Sequence, residues 1–179
     1  TLAGILLYGL PQGVEGAGSI TAVSLTTGQK SSIAKATTST VTIGANKLAL
    51  IWITQGDGNG GTPTLSDPNR TWTQVATNTA GLRRLTLYRS MNPVDTTGAV
   101  IITSPVSTGM TWSLVEYSNT DTSGTNGSGA IAQFASRNYQ NAGGDRSLSG
   151  SVTLGSSSQT GNAVVGGFAR GITSSVFPG

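Results

Sequence analysis

The sequence of 179 residues contains no cysteine and no histidine. Without these residues the chain can form no disulfide, thiolate nucleophile, zinc-finger site or imidazole general base. Charged residues are also scarce, at 9% of the chain against about 25% in a typical globular domain. Seven acidic residues remain for acid–base or metal chemistry, and they are scattered along the sequence. The composition therefore excludes most catalytic classes before any motif is considered.

Basic clusters and long hydrophobic runs are missing as well. The net charge is +3, and the densest basic group is Arg83, Arg84 and Arg89, which is too small to neutralise a run of phosphates. No stretch approaches the ~20 apolar residues of a membrane span. We therefore expect neither a nucleic-acid partner nor a membrane span. The chain is instead rich in serine, threonine and glycine, with 26 glycines, and its length suits one domain.

Short runs of alternating apolar and polar residues, separated by turn residues, dominate the chain, and helical periodicity is nearly absent. Their spacing predicts an all-β fold, an antiparallel β-sandwich of jelly-roll-like type. The predicted strands are 20–26, 39–44, 47–54, 71–77, 83–91, 98–104, 110–118, 129–135, 147–154 and 162–170.

The predicted strand 110–118 shows which side chains enter the core. Met110, Trp112, Leu114 and Glu116 lie on one face, which we expect to be buried except at the end, where Glu116 carries its charge to solvent. Trp112 is also one of three predicted core aromatic residues. The other two are Trp52 and Trp72.

Residues 1–19 differ from the rest, because they are apolar and then glycine-rich without clear alternation. We interpret them as an N-terminal apolar arm and flexible linker, followed by the β-sandwich domain over residues 20–179. The apolar segment 2–10 lacks the basic flank of a signal sequence, so a retained arm is the preferred interpretation.

Several loops could present oxygen ligands or acid groups, but each has a simpler explanation. Asp57 and Asn59 resemble the start of a calcium loop, yet the distal ligands are absent and a glycine turn explains them. Asp121 is explained by an Asx turn. A glycosidase would need two carboxylates facing one cleft, and Glu116 with Asp121 or Asp67 is the pairing to test.

The remaining motifs are equally weak. Ser32 precedes Lys35 by three residues, as in a penicillin-binding motif, but the companion motifs are missing. Asn69 and Asn126 begin N-glycosylation sequons, which arise readily by chance in a Ser/Thr-rich chain. Tyr139, beside Arg137 and Asn138, could stack on a sugar ring. We therefore predict no catalytic residue, no metal and no cofactor, and we keep a glycan as a candidate ligand.

A longer series of strand and turn sequences carries a resemblance. It comprises LALIWI (48–53) with its glycine-rich turn, PTLSDPNRTWTQV (63–75), RLTLYRSMNP (84–93), VIIT (100–103), and WSLVEY (112–117) followed by Ser118 and NTD (119–121). This order resembles a family of β-sandwich modules found in bacterial secreted proteins and in phage virion proteins, including tail and capsid-surface components. The resemblance covers about residues 39–170.

The resemblance implies a non-enzymatic structural, attachment or ligand-binding module, located on a virion surface or outside the cell, with no catalytic residues to transfer. Related modules continue with further strands after the region of residues 177–179. Either the chain is truncated there, or another element fills the missing sheet edge.

An unfilled edge suggests a role for the arm, since a strand from a neighbour can cover such an edge. We predict that the arm packs against another subunit instead of joining this sandwich, in a homo-oligomer or with other assembly subunits. The predicted contact residues are Leu2, Ile5, Leu6, Leu7, Tyr8 and Leu10. The expected function is a phage capsid decoration or tail protein. The alternative is a secreted bacterial adhesin or carbohydrate-binding module.

Overall fold

A computed structural model describes residues 2–10, 19–56, 60–139, 153–154 and 162–170. The strands in these ranges are β1 (Leu2–Leu10), β2 (Thr21–Thr37), β3 (Val41–Ile43), β4 (Leu48–Gln55), β5 (Thr64–Ser66), β6 (Thr73–Ala80), β7 (Arg83–Ser90), β8 (Thr96–Gly98), β9 (Ile101–Ser118), β10 (Gln133–Tyr139) and β11 (Ala163–Arg170). All strand pairs are antiparallel, and the sheets pack against one another. The prediction of an all-β sandwich is confirmed.

The largest sheet has the strand order β2-β9-β4-β7-β6, with β5 pairing to β9. Its central strand, β4, is a continuous apolar run in which seven of the eight residues are buried. Successive side chains of a strand point to opposite faces, so Leu50 and Trp52 enter one core while Ile51 and Ile53 enter the other. This strand is therefore covered on both sides.

The second core forms because β9 and β2 are long enough to fold back over the sheet. Residues 110–117 of β9 pair with β4, whereas residues 101–103 pair with β5 and with the far end of β2. The register of β2 shifts around Ile33, and Ser32 has a φ of 52°. The two strands predicted at 98–104 and 110–118 are thus one strand, because the backbone stays extended through residues 104–107, where no pair forms.

A small sheet with the order β10-β1-β11 covers the first core. Its central strand is residues 2–10, paired with both neighbours along nearly their whole length. The expectation that this segment stays outside the sandwich is therefore wrong: its backbone completes a sheet of its own chain. Its apolar residues suit a strand between two others, and its partners lie more than 120 positions away, beyond the reach of local patterning. The predicted contacts of Leu2, Ile5, Leu6, Leu7, Tyr8 and Leu10 with another subunit stay a prediction.

The core predictions are mostly confirmed. Trp52 and Trp112 are buried, whereas Trp72 is half-buried against the second core. The prediction that Glu116 is exposed to solvent is wrong, because this residue is only 5% exposed. The predicted strand 147–154 lies outside the described residues except for 153 and 154, which are not in a strand. The short strands β5 and β8 were not predicted, because three residues are too few for a pattern.

Candidate functional site

The acidic side chains are the natural starting point for chemistry, and four of the seven lie in the described part of the chain. The Glu116 residue is buried, at 5% exposure. Its Oε1 accepts a hydrogen bond from Lys47 Nζ at 2.8 Å, and its Oε2 accepts one from the backbone N–H of Gly44 at 2.7 Å. The hydrogen bond and the charge of Glu116 raise the pKa of Lys47. The carboxylate therefore fastens the turn at residues 44–47 to β9.

Asp95 holds the same turn from the other side. Its Oδ1 accepts a hydrogen bond from the backbone N–H of Ala45 at 2.6 Å. The next residue, Asn46, has a φ of 57°, a left-handed conformation that asparagine tolerates better than most residues. Two carboxylates thus fix one tight turn between β3 and β4.

Asp67 supports a second turn. Its Oδ1 accepts a hydrogen bond from the backbone N–H of Asn69 at 2.9 Å, and its Oδ2 lies 3.5 Å from Arg70 Nε. Arg70 is buried, donates from Nη2 to the carbonyl of Thr96 at 3.1 Å, and lies 5.8 Å from the ring of Trp72. Burial lowers the pKa of the Arg70 guanidinium. Arginine here joins the loop after β5 to the start of β8.

Asp121 accepts a hydrogen bond from the backbone N–H of Ser123 at 2.7 Å, which is the predicted Asx turn. Each of the four described carboxylates is therefore engaged by a neighbouring backbone amide. Glu116, Asp67 and Asp121, the candidate carboxylates for a glycosidase, therefore stabilise three different turns. Among the described residues, no group of three or more acidic, histidine or cysteine side chains could hold a metal.

The other predicted motifs have structural outcomes or lie outside the described residues. Ser32 and Lys35 belong to β2, not to the helix start that the penicillin-binding motif requires. Asp57 and Asn59 of the calcium-like loop lie outside the described residues. The side chain of Tyr139 is likewise outside what the structure describes.

Both sequon asparagines have structural roles that sequence reasoning missed. Asn69 donates from Nδ2 to the carbonyl of Thr97 at 2.8 Å. Asn126 donates from Nδ2 to the carbonyl of Thr71 at 3.0 Å and to Thr73 Oγ1 at 2.9 Å. The nitrogen that would carry a glycan thus donates a hydrogen bond to another segment of the chain at both sites.

A groove beside β11 is the other feature that the sequence did not reveal; we call it the edge groove. It has a volume of about 310 Å³ and lies between β11 and the sheet face formed by β4 and β9. Its lining includes Trp52, Thr54, Thr111, Ser113, Gly167 and Phe168. The sequence signal for this groove is weak: it is the charge-free segment AVVGGFA (163–169), in which an aromatic residue follows two glycines.

The edge groove exists because the small sheet covers only part of the large one. A Cβ atom on Gly167 would lie 2.5 Å from the indole of Trp52, so β11 packs directly on β4 at this point. Beyond β4 the large sheet continues with β9 and β2. Phe168 stands at the rim and is 77% exposed. The groove therefore combines an aromatic rim with a floor that carries hydroxyl groups.

The fold and these contacts define an all-β sandwich whose described acidic groups stabilise turns. Comparisons with protein-family models, with curated proteins and with solved structures found no match for this chain. In the described part of the chain, no helix has the length and apolar character to cross a membrane.

Proposed function

We propose that the chain is a non-enzymatic structural module of a virion surface, acting as a phage capsid decoration or tail protein. Its partners are other subunits of the particle, including further copies of itself. The observation that carries this proposal is the use of the described carboxylates: each one accepts a hydrogen bond from a turn amide. A protein whose few carboxylates stabilise its turns is suited to a structural role.

Two further features support the proposal. The strand series resembles modules of virion and secreted proteins, as described for residues 39–170. The surface also carries exposed apolar side chains at Val164 and Phe168, both on β11. Apolar residues grouped on an exposed strand are typical of protein–protein contact sites.

Immunogold electron microscopy of purified virions from the source of the gene tests the proposal. An antibody raised against the folded chain should label intact particles at regular positions on the capsid or the tail. A matched antibody against an unrelated cytoplasmic protein is the control. Recovery of the chain only as a free monomer, with no particle label, would contradict the proposal.

The edge groove favours a second candidate, a secreted adhesin or carbohydrate-binding module. An exposed aromatic ring beside hydroxyl groups can stack on a sugar, and Phe168 lies beside the groove that Thr111 and Ser113 line. A glycan array with the purified monomer tests this candidate. Binding that Phe168→Ala abolishes, and that Leu82→Ala at a distant exposed position leaves unchanged, would favour it over the virion proposal.

A further inference from the structure

We propose that the edge groove receives an extended, uncharged strand from a neighbouring subunit, which pairs with the free edge of β11. This inference rests on the proposed function, because it names the surface through which the module would join its assembly. Strand addition of this kind obtains its affinity from main-chain hydrogen bonds and its specificity from alternate side chains.

The free edge is the first argument. Among the described strands, β11 pairs only with β1, so the peptide groups on its other side have no strand partner. Natural proteins protect such edges with charges, proline or bulges. β11 contains no proline, and its single charged residue, Arg170, is the last of the strand. The edge strand β2 differs, since it presents exposed Lys30 and Lys35.

The floor of the groove determines what shape of partner fits. Since β11 lies on β4 at Trp52, the neighbouring strands β9 and β2 continue the floor past it. At about 4.8 Å per strand, β9 and β2 extend the floor by roughly 10 Å past β4. Thr27 of β2 is exposed there, opposite Ser113 of β9. One or two strands added beside β11 would lie over this part of the floor.

The lining determines the chemistry of the added strand. None of the groove residues is charged, and the hydroxyls of Thr111 and Ser113 contribute to the floor. A charged side chain directed at the floor would lose water without gaining a partner. Val164 and the rim residue Phe168 alternate along β11 with the inward-facing core residues Val165 and Ala169, and both are more than half exposed. The partner strand should therefore place small or hydroxyl side chains inward and apolar ones outward.

A synthetic peptide with the sequence SLSGSVTL is a suitable probe. The chain itself contains this sequence at 147–154, where serine and threonine alternate with leucine, glycine and valine and no residue is charged. Fluorescence anisotropy of the labelled peptide with the full chain should show saturable binding. The same peptide N-methylated at alternate residues is the matched control, because it keeps the side chains but loses the amide donors on one edge.

Variants of the protein locate the binding site. Phe168→Lys should weaken peptide binding roughly tenfold or more, because a lysine at the rim acts as edge protection. Leu82→Lys, at a 65% exposed position in the turn between β6 and β7, should leave binding unchanged. If Phe168→Lys fails to fold, Val164→Lys with Val94→Lys as its control makes the same comparison.

Three outcomes would overturn the inference. Equal binding of the N-methylated peptide would mean that edge pairing is not involved. No binding of either peptide would mean that the edge is unavailable, for instance because the chain itself occupies it. Binding of an oligosaccharide in place of the peptide would assign the groove to a glycan. Particle labelling does not depend on the peptide result, so failure of this inference and failure of the proposed function are distinguishable.

Discussion

Asn126 offers the sharpest test of how the loop after β9 is held. Its half-buried side chain bridges two segments: Oδ1 accepts a hydrogen bond from the backbone N–H of Met91 at 3.0 Å, and Nδ2 donates to Thr71 and Thr73. Its backbone has a φ of 51°. Asparagine is thus needed for two separate reasons, its amide group and its tolerance of a left-handed backbone.

The magnitudes follow from these contacts. The three shorter side-chain hydrogen bonds, at about 1 kcal/mol each, give a loss of about 3 kcal/mol when the amide is removed. A fourth, from Ser90 Oγ to Oδ1 at 3.4 Å, is long and adds little. Asn126→Gly removes the amide but keeps the backbone conformation accessible. Asn126→Ala adds about 1 kcal/mol, because an alanine resists a positive φ. For a chain of this size each kcal/mol lowers the Tm by about 2–4 °C, so Asn126→Gly should lose about 6–12 °C.

Thermal unfolding followed by circular dichroism measures the effect. Asn46→Gly is the matched control, since Asn46 is an exposed asparagine with a φ of 57° and its replacement carries the same glycine entropy cost. We expect Asn126→Ala to be the least stable variant, followed by Asn126→Gly and then Asn46→Gly. If Asn126→Gly were as stable as Asn46→Gly, the bridging role of the amide would be refuted.

Three further predictions concern packing, pH and modification. Gly28→Ala should destabilise the fold by about 1–3 kcal/mol in denaturant unfolding, because its Cβ would lie 2.2 Å from the indole ring of Trp112. The control Gly109→Ala should be near neutral, because its Cβ would have a single neighbour at 3.9 Å. Equal losses of stability in the two variants would contradict this packing argument. Burial raises the pKa of Tyr88 and of Tyr117 above 10.0. The folded state then holds these protons more tightly than the unfolded state, so the free energy of unfolding should fall as the pH rises past 10. It should be flat from about pH 6 to 9, where no side chain of this His- and Cys-free sequence has its usual pKa. A free energy of unfolding that rises above pH 10 would exclude this linkage. Neither sequon should be glycosylated after folding, because both amide nitrogens donate hydrogen bonds to other parts of the folded chain. A mass increase when the purified, folded protein is incubated with an oligosaccharyltransferase and its glycan donor would show the opposite.

The strands that sequence patterning located share one property: their burial is visible over a few consecutive residues. The run LALIWI predicted β4 because a strand covered on both faces must be apolar at every position. The alternation around Trp112 likewise predicted that Met110, Trp112 and Leu114 enter a core. It did not predict that Tyr117, on the other face of β9, is buried in the first core. Local sequence patterns were therefore sufficient to predict the central strands of the large sheet.

The misplaced features depend on partners distant in sequence. The segment 2–10 is a strand because β10 and β11 flank it, and nothing within its own sequence announces them. Glu116 was expected in solvent because its position at a strand end suggests exposure, but Lys47 and Gly44 compensate its burial. The edge groove depends on which part of one sheet another sheet leaves uncovered. The packing of one sheet on another produces no periodic pattern of residues, so it cannot be predicted from a single sequence.

The small sheet has a consequence for how the chain reaches this fold. Leu2 pairs with Arg170, so the earliest strand of the sequence closes against its last described strand. Contacts of such long sequence separation are expected to slow folding. During synthesis, β1 must wait with its apolar sequence unpaired until β10 and β11 have been made. The first of the described strands to be synthesised is therefore among the last to pair, and it needs protection from neighbouring chains in the interval.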